Sequence, residues 1–317
     1  MDEFALIDRF FKGQGVSRKD VLLGIGDDAA VVRPADGRDL VITTDVLVNG
    51  VHFPESTEPA AVGHKALAVN LSDIAAMGAT PAWATMGLTL AETNEQWLEA
   101  FCTGFFALAE AFDVQLVGGD VTRGPLTIGV QLIGIVGEAG CLTRSGAREG
   151  DEIYVSGTLG DAGLGLQVDS GMLTVAERDE AVFLDRLNRP LPRVELGRAL
   201  AGHATAAIDV SDGLVADLGH LCESSGVGAE VDVARVPISD SCRRYLAKVG
   251  WEPVLGFGDD YELCFTAAPD QASHIEGLSH ELGLGIVRIG RIETGTIRWV
   301  HGDQPFSPHA QGYRHFR

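Results

Sequence analysis

The sequence predicts a two-domain α/β protein. In the first half, segments with a strand pattern alternate with helical segments in the order β-α-β-α-β, which favours strands and helices packed in layers. The chain has 317 residues, 45% of them hydrophobic, which is enough for two cores of ordinary size. Residues 138–151 combine glycines with charges of both signs, as a domain edge does. We therefore expect one domain over 1–140 and a second over 141–317.

The elements of the first domain follow from apolar periodicity and from helix signals. Residues 4–12 fit an amphipathic helix, and strands are expected near 29–33 and 40–48. A long helix should begin near Pro59, which suits a first turn, and stop at Gly78. The same criteria predict strands at 81–90, 114–117 and 126–136, and a helix at 95–111.

The second domain is predicted to repeat the mixture of strands and helices. Strands are expected at 151–156, 229–233, 261–267 and 285–292, and helices at 161–170, 193–201 and 214–224.

Composition restricts the classes of partner. The net charge of −21 argues against nucleic acid or an anionic membrane as partner, but permits a phosphate-bearing substrate if cations lie between the negative charges. The five cysteines form no CxxC pair, which argues against a zinc site and fits a reducing cytoplasm. The start of the chain lacks a signal-peptide pattern, and no apolar run approaches about 20 residues, so we expect a cytoplasmic protein with no membrane span.

Aspartates recur at the ends or in the middle of apolar segments. Asp45 lies within 41–48, which is expected to be a buried strand, and Asp120 and Asp209 each follow an apolar run. Asp27 and Asp28 form a pair in a glycine-rich loop. Because burying an unpaired carboxylate costs several kcal/mol or more, several such residues suggest shared cations, and oxygen ligands favour a hard ion such as Mg²⁺.

Each of these motifs also has a purely structural interpretation. Asp27 and Asp28 could form a solvated turn, and Asp45 could pair with a lysine or arginine. Asp73 could be an ordinary exposed helical aspartate, although a carboxylate near a helix C-terminus is disfavoured by the helix dipole. The segment Gly118-Gly119-Asp120 could approach phosphate through its backbone N–H groups or could form a β-turn.

The second domain leaves similar alternatives open. Ser211 or Asp212 could cap the following helix, although a cap does not explain Asp209. Arg144, in a glycine-bearing loop, could clamp a phosphate or be solvated. His52, seven residues after Asp45, is expected in the loop that leaves the strand. The stretch Gly258–Glu262 could form a substrate pocket or a turn.

Several well-known nucleotide motifs are missing from the sequence. There is no GxxxxGK phosphate loop and no protein-kinase HRD or DFG set. The loose GxGxxA match at 24–29 carries an acidic pair that would repel a pyrophosphate, which excludes a dinucleotide site of that kind.

Taken together, the motifs resemble those of the thiamine-monophosphate kinases, within the superfamily that includes aminoimidazole ribonucleotide synthetase. The matching segments run in family order over nearly the whole chain: GIGDDA at 24–29, TTDVLV at 43–48, VHF at 51–53, KALAVNLSDIAAMGA at 65–79, GGD at 118–120, LTRSGA at 142–147, IDVSDGL at 208–214, GDDYEL at 258–263 and GYRHF at 312–316.

The resemblance implies a PurM-like architecture of two α/β (α+β) domains. The N-terminal domain would bind metal and ATP and form a β-barrel in a homodimer, and the C-terminal domain would complete the ATP and substrate sites. The implied Mg²⁺ ligands are Asp28 or its neighbour Asp27, Thr43, Thr44, Asp45, Asp73, Asp120, Asp209 and Asp212. The implied ATP contacts are Gly119, Asp120, Arg144 and Ser211, and the implied substrate contacts are His52, Glu262 and Tyr313.

The implied reaction is ATP-dependent phosphorylation of thiamine monophosphate to thiamine diphosphate, assisted by several Mg²⁺ ions. We expect Asp45, Asp120 and Arg144 to be catalytic, by positioning and charge neutralisation rather than through a phosphoenzyme. Two alternatives are a sister enzyme, such as aminoimidazole ribonucleotide synthetase or selenophosphate synthetase, and a non-enzymatic acidic cation-binding protein. Selenophosphate synthetase is disfavoured because the first cysteine is Cys102.

Overall fold

The described part of the chain folds into two compact units. The computed structural model describes residues 3–26, 29–309 and 312–313. The first unit contains the described residues up to Ile74 together with Ala79–Gly137. The second contains Ala75–Gly78 and the described residues from Glu138 onward. Apart from Ala75–Gly78, the chain therefore passes from the first unit to the second after Gly137, and the predicted domain bounds stay a prediction.

The first unit contains six strands and three helices within its described residues. In chain order they are α1 (Glu3–Phe10), β1 (Val21–Leu23), β2 (Val31–Val32), β3 (Leu40–Val48), α2 (Pro59–Ala76), β4 (Thr80–Leu90), α3 (Glu95–Ala111), β5 (Gln115–Arg123) and β6 (Thr127–Ile135). The last residues of α2 belong to the second unit.

The main sheet of the first unit has the strand order β3-β6-β4-β5. Strand β6 pairs antiparallel with both β3 and β4, whereas β4 and β5 are parallel, and α3 provides the crossover that parallel neighbours need. The edge strands are β3 and β5, and β1 and β2 form a separate two-stranded sheet.

The helices of the first unit begin and end where local chemistry favours it. Pro59 is the first residue of α2, and Gly78 adopts φ +66° just after its end. Asn94 caps α3, its side chain accepting a hydrogen bond from the backbone N–H of Trp97 at 3.1 Å.

Strand β3 corrects one expectation from the sequence. The segment 41–48 is predicted to be buried, but its residues alternate, and Ile42 and Val46 are 61% and 49% exposed. Because successive side chains of a strand point to opposite faces, Asp45 lies on the other face from these residues and is half-buried. The carboxylate is therefore not enclosed in a core.

The second unit contains seven strands and seven helices within its described residues. In chain order they are β7 (Glu152–Ser156), α4 (Asp161–Asp169), α5 (Glu177–Asn188), α6 (Val194–Leu200), β8 (Ala206–Asp209), α7 (Leu214–Ser225), β9 (Gly228–Asp232), α8 (Asp240–Val249), α9 (Glu252–Gly256), β10 (Leu263–Ala267), α10 (Ala272–Leu282), β11 (Ile286–Glu293), β12 (Ile297–His301) and β13 (Gln304–Phe306). Two single 3-10 turns, Val233–Arg235 and Pro269–Gln271, lie between them.

One seven-stranded sheet organises the second unit, in the order β13-β12-β9-β11-β7-β10-β8. All neighbours are antiparallel except β12 and β9. The core combines the inner residues of the central strands with one face of α7, including Leu214, Leu218 and Leu221. No helix in the described ranges has both the length and the apolar character needed to cross a bilayer.

Candidate functional site

Polar residues of β3 and α2 meet in the first unit through hydrogen bonds between the strand and the helix. Thr43 and Asp45 are two apart on β3 and therefore share a face, and Asn70 and Asp73 are three apart on α2. The Thr43 hydroxyl donates a hydrogen bond to Oδ2 of Asp73. The backbone N–H of Asp45 donates to Oδ1 of Asn70 at 3.2 Å. The helix and the strand therefore present Asp45 and Asp73 on one surface.

Thr44 lies on the opposite face of β3 from Thr43 and Asp45. Its side chain is exposed, and the Gln131 amide donates to its hydroxyl at 3.4 Å. Of the three consecutive predicted ligands, Thr43 and Asp45 thus share the face of β3 that meets α2, and Thr44 does not.

Gly119 and Asp120 lie within β5, which extends six residues beyond the predicted strand end at Val117. Gly119 has φ +150°, and a Cβ there would lie 2.0 Å from the carbonyl oxygen of Met86 on β4. Only glycine permits this close pairing. The register places Asp45, Val130, Met86 and Gly119 in one row across the sheet. The Cα atoms of Asp45 and Gly119 are thus three strand spacings apart, or roughly 14 Å.

A pocket lies beside the Gly118–Asp120 segment. Apolar side chains of α1, of the loop after β1 and of the sheet form its walls, with the glycine backbone and one carboxylate at one side. The lining residues are Ile7, Phe11, Ile25, Met86, Leu116, Gly118, Gly119, Asp120 and Val121. An apolar pocket with few polar groups suits a flat organic ring that carries a charged tail.

His52 lies in the turn after β3, as the sequence predicts. Its Nδ1 accepts a hydrogen bond from the backbone N–H of Val48 at 3.0 Å, which assigns the ring proton of the neutral tautomer to Nε2. The fully buried Lys65 of α2 donates from Nζ to the carbonyl oxygen of His52 at 3.1 Å. The sequence analysis did not identify Lys65, which holds this turn against α2.

The oxygen donors of the first unit fit a hard cation by their chemistry. Two carboxylates, a hydroxyl and an amide are the ligand types that Mg²⁺ prefers. Among the described residues, no group of three or more acidic, histidine or cysteine side chains is arranged to hold a metal ion. The predicted ligands Asp27 and Asp28 lie outside the described residues.

In the second unit, the segment between β8 and α7 carries three predicted site residues. Asp209 ends β8 and is buried, whereas Ser211 and Asp212 are half-buried. The buried Asp217 accepts backbone hydrogen bonds from this segment. Burial, followed by the charges of Asp209 and Asp212, raises the pKa of Asp217 to about 8. Three carboxylates are therefore crowded at this end of the sheet.

Arg144 projects from a loop that is fixed at several points. The hydroxyl of Ser225 donates to the carbonyl oxygen of Arg144 at 3.1 Å and accepts from the backbone N–H groups of Gly146 and Ala147, each at 3.2 Å. Gly146 has φ +129°, and a Cβ there would lie 2.3 Å from the carbonyl oxygen of Thr205. The backbone is thus fixed while the Arg144 side chain is exposed, an arrangement that can bind an anion.

Glu262 is completely buried in a network of ion pairs. Its carboxylate accepts from Arg186 at 2.8 Å, from Nε of Arg193 at 2.6 Å and from the hydroxyl of Ser156 at 2.6 Å. Arg193 also donates through a second nitrogen. These contacts give Glu262 a structural environment that connects β7, α5 and the start of α6, and its role as a substrate contact stays a prediction.

Asp260 is also buried, two residues before Glu262. Its Oδ1 accepts from the backbone N–H of Gly160 at 2.9 Å, and its Oδ2 has no hydrogen-bond partner among the described residues. Burial raises its pKa well above the ordinary aspartate value, so the neutral carboxyl form is favoured.

Asp259 and Tyr313 lie beside the segment between β8 and α7. Asp259 is half-buried with φ +61°, and its backbone N–H donates to the carbonyl oxygen of Ser211 at 2.9 Å. The hydroxyl of Tyr261 donates to Oδ1 of Asp259 at 3.0 Å. The backbone N–H of Tyr313 donates to the carbonyl oxygen of Asp212 at 3.2 Å, and its side chain is 46% exposed. The structure therefore places the backbone of Tyr313 against Asp212, and the predicted roles of both residues stay predictions.

Comparison with known proteins identifies the family. Residues 26–136 match AIR synthase related protein, N-terminal domain, and residues 148–300 match AIR synthase related protein, C-terminal domain. The thiamine-monophosphate kinase of Salmonella typhimurium is 45% identical, over 99% of this chain and 98% of that protein. The chain belongs to the thiamine-monophosphate kinase family.

Solved structures of the thiamine-monophosphate kinase family share the fold. The enzyme from Stenotrophomonas maltophilia K279a superposes with a TM-score of 0.84 at 50% identity, covering 89% of this chain and 92% of that one. A structure of AaThiL complexed with AMPPCP and TMP has a TM-score of 0.79 at 36% identity, with 92% of each chain covered. The two-domain PurM-like fold and the resemblance drawn from the motifs are thereby confirmed, in favour of the kinase over the two alternatives.

Within this member of the thiamine-monophosphate kinase family, three residues contact predicted site residues although the sequence analysis gave them no role: Asn70, Asp217 and Asp259. Asn70 carried a usable signal, because it lies three residues before Asp73 on one helix face. Asp259 belongs to a run of acidic residues, and the backbone conformation sets the direction in which each side chain points. The sequence gives no direct sign of which of these carboxylates is accessible to solvent.

Proposed function

We propose that this chain transfers the γ-phosphoryl group of ATP to thiamine monophosphate, giving thiamine diphosphate and ADP. The observation that carries the proposal is the 45% identity to a thiamine-monophosphate kinase over 99% of the chain. The exposed arginine, the glycine-lined pocket and the half-buried aspartates are groups that this chemistry needs.

The pocket beside Gly118–Asp120 is the proposed site of the adenine ring. Its apolar walls suit a flat base, and the phosphate chain is proposed to lie at the side of the pocket formed by the Gly118–Asp120 segment. Support comes from the family member AaThiL, which was solved with the ATP analogue AMPPCP. In the second unit, Ser211 and Arg144 are the proposed contacts to phosphate oxygens.

Mg²⁺ ions are the proposed cofactors, and bound Mg²⁺ supplies neutralisation of phosphate charge. In the first unit Thr43, Asp45, Asp73 and Asp120 would hold the cations, and in the second Asp209 and Asp212 would do so. Asp27, Asp28 and Thr44 stay predicted ligands. The raised pKa of Asp217 supports the assignment in the second unit, because crowded carboxylates there favour a positive charge beside them.

Thiamine monophosphate is proposed to contact His52, Asp259 and Tyr313. Its thiazolium ring is a cation, which a carboxylate and the face of an exposed tyrosine both attract. We propose Asp259 as the acidic contact in this region, since Glu262 is already paired with two arginines. His52 can donate from Nε2, because its Nδ1 is occupied by the backbone N–H of Val48.

The phosphoryl transfer is proposed to be direct and in line. An oxygen of the acceptor phosphate is already ionised near neutral pH, so the transfer requires no strong general base. Asp45 and Asp120 act by positioning cations, and Arg144 balances the charge of the transferring group or of the leaving diphosphate.

A homodimer is proposed to form through the exposed face of β3. This edge strand exposes Leu40, Ile42 and Val46, and an apolar edge strand left in water is prone to association. Pairing of two such sheets would give the β-barrel that the resemblance implies. The net charge of −21 supports the prediction that neither nucleic acid nor an anionic membrane is a partner, and a cytoplasmic location stays a prediction.

The test is chromatographic separation of products after incubation with ATP and thiamine monophosphate, with and without Mg²⁺. Mg²⁺-dependent thiamine diphosphate and an equal amount of ADP are expected. ATP consumption only with another small acceptor would overturn the substrate assignment.

A further inference from the structure

A single buried carboxylate shapes the backbone between β8 and α7. Oδ2 of Asp217 accepts hydrogen bonds from the backbone N–H groups of Ser211, Asp212 and Gly213, each at 3.0 Å. Asp217 lies in the first turn of α7 and is 3% exposed. Three consecutive N–H groups that converge on one oxygen form the kind of concave anion site that often holds a phosphate.

Here the protein supplies its own acceptor oxygen, Oδ2 of Asp217, so these N–H groups point toward the interior. The backbone of this segment is then a poor phosphate binder, and ligand contacts must come from its side chains. Ser211 and Asp212 are the half-buried side chains of the three. The sequence alone suggested that Ser211 or Asp212 caps the helix, but the residue at the cap position is Gly213, with no side-chain cap.

Other contacts fix both ends of the same segment. The backbone N–H of Val210 donates to the carbonyl oxygen of Glu262 at 2.8 Å, and Asp259 donates to the carbonyl oxygen of Ser211 at 2.9 Å. The carbonyl oxygen of Val210 also accepts from the backbone N–H of Tyr261 at 2.9 Å. The carbonyl oxygens of Val210 and Ser211 thus bind the neighbouring loop, while the N–H groups of 211–213 bind Asp217. Replacing Asp217 would release three donors at once, without removing the contacts of the carbonyl groups.

We propose that Asp217 is a positioning residue for the nucleotide and cation contacts of Ser211 and Asp212. Its carboxylate acts through hydrogen-bond geometry, setting the direction of the two side chains without touching the substrate. The proposal rests on the proposed function for the identity of the ligands, but not for the conformation of the segment.

Two substitutions at Asp217 distinguish the position of its acceptor oxygen from its charge as the cause of any effect. Asp217→Asn keeps an acceptor oxygen at the same place and loses the charge, whereas Asp217→Glu keeps the charge and displaces it by one methylene. If Asp217 is a positioning residue, the Asp217→Asn variant should bind MgADP with an affinity within about threefold of wild type. The Asp217→Glu variant should bind it at least about tenfold more weakly, and calorimetry measures both affinities. The reverse order would overturn the proposal and assign the effect to charge.

Hydrogen–deuterium exchange of peptides covering 209–216 provides a readout that is independent of the acceptor substrate. Faster exchange is expected there in Asp217→Glu and in Asp217→Ala, with little change in Asp217→Asn. Unchanged exchange in both Glu and Ala variants would also overturn the proposal. If the Ala variant does not fold, the Asn and Glu pair still decides.

A matched control is Asp179→Asn. Asp179 is another buried aspartate in the first turn of a helix in the same unit, but it pairs with Arg244, Ser241 and Tyr245. This variant should lose stability and keep MgADP affinity. Failure of wild type to phosphorylate thiamine monophosphate would count against the proposed function alone, because MgADP affinity and exchange do not depend on that acceptor.

Discussion

Replacing Glu262 by glutamine should destabilise the second unit without weakening substrate binding in the molecules that remain folded. The substitution removes the negative charge that Arg186 and Arg193 share, and both arginine side chains are only 17% exposed. Breaking a buried ion pair by removing one partner costs about 3–5 kcal/mol. For a domain of this size, such a loss lowers the melting temperature by roughly 10 °C.

The comparison variant is Asp259→Asn, three residues away. Asparagine tolerates the left-handed backbone of Asp259 and can still accept the hydrogen bond from Tyr261, so we expect a stability change within about 0.5 kcal/mol. Loss of the carboxylate that we propose as the substrate contact should raise KM for thiamine monophosphate by about tenfold.

Thermal unfolding of both variants compares their stabilities. Steady-state kinetics, measured at a temperature where both variants are folded, compares their KM values for thiamine monophosphate. A Glu262→Gln protein of normal stability with a raised KM, together with an Asp259→Asn protein of normal KM, would refute this reasoning. That result would return the substrate contact to Glu262, as the sequence implied.

Three further predictions concern the metal ligands, the buried acid and the dimer. Asp45→Asn and Asp120→Asn should each lower kcat by about two orders of magnitude or more with the circular dichroism spectrum retained; near-normal turnover in both would exclude them as cation ligands. Because the folded state holds the Asp260 proton more tightly than the unfolded state does, this group's contribution to stability should be fully present below about pH 4 and should fall as pH rises from there toward its raised pKa, by up to about 1.4 kcal/mol per pH unit. Urea unfolding of Asp260→Asn should show a flatter dependence on pH, and an unchanged slope would mean that Asp260 titrates normally. Ile42→Lys should shift the mass measured by light scattering from dimer to monomer, whereas a dimer that persists would place the interface elsewhere.

The long helices could be predicted from sequence because their ends carry local signals. Pro59 and the glycine at 78 bracket α2, and Asn94 caps α3, whose observed bounds are those predicted. Helix α5 was missed because it is rich in charge, and only Phe183 and Leu187 among its apolar residues are buried. The short strands β12 and β13 depend on sheet pairing rather than on local pattern, since β12 pairs with β9 and β13 pairs with β12.

Burial could not be derived reliably from apolar composition. The run around Asp45 contains β-branched residues on both faces, so it was interpreted as a buried strand, whereas one face is open. Glu262 is the opposite case, a charged residue that is completely buried. Its arginine partners are 69 and 76 residues away in sequence. Long-range pairing of this kind leaves no local pattern, which is why the accessible acid of the 259–262 stretch could be found only from the structure.

Single-turnover transfer from γ-labelled ATP tests the central claim most directly. With enzyme in excess over ATP, and with Mg²⁺ and thiamine monophosphate present, samples are quenched over time and the label is followed in protein, thiamine diphosphate and inorganic phosphate. The account predicts that label passes from ATP to thiamine diphosphate with no labelled protein at any time. Label that accumulates on the protein, or that appears only as inorganic phosphate, would contradict direct transfer to thiamine monophosphate.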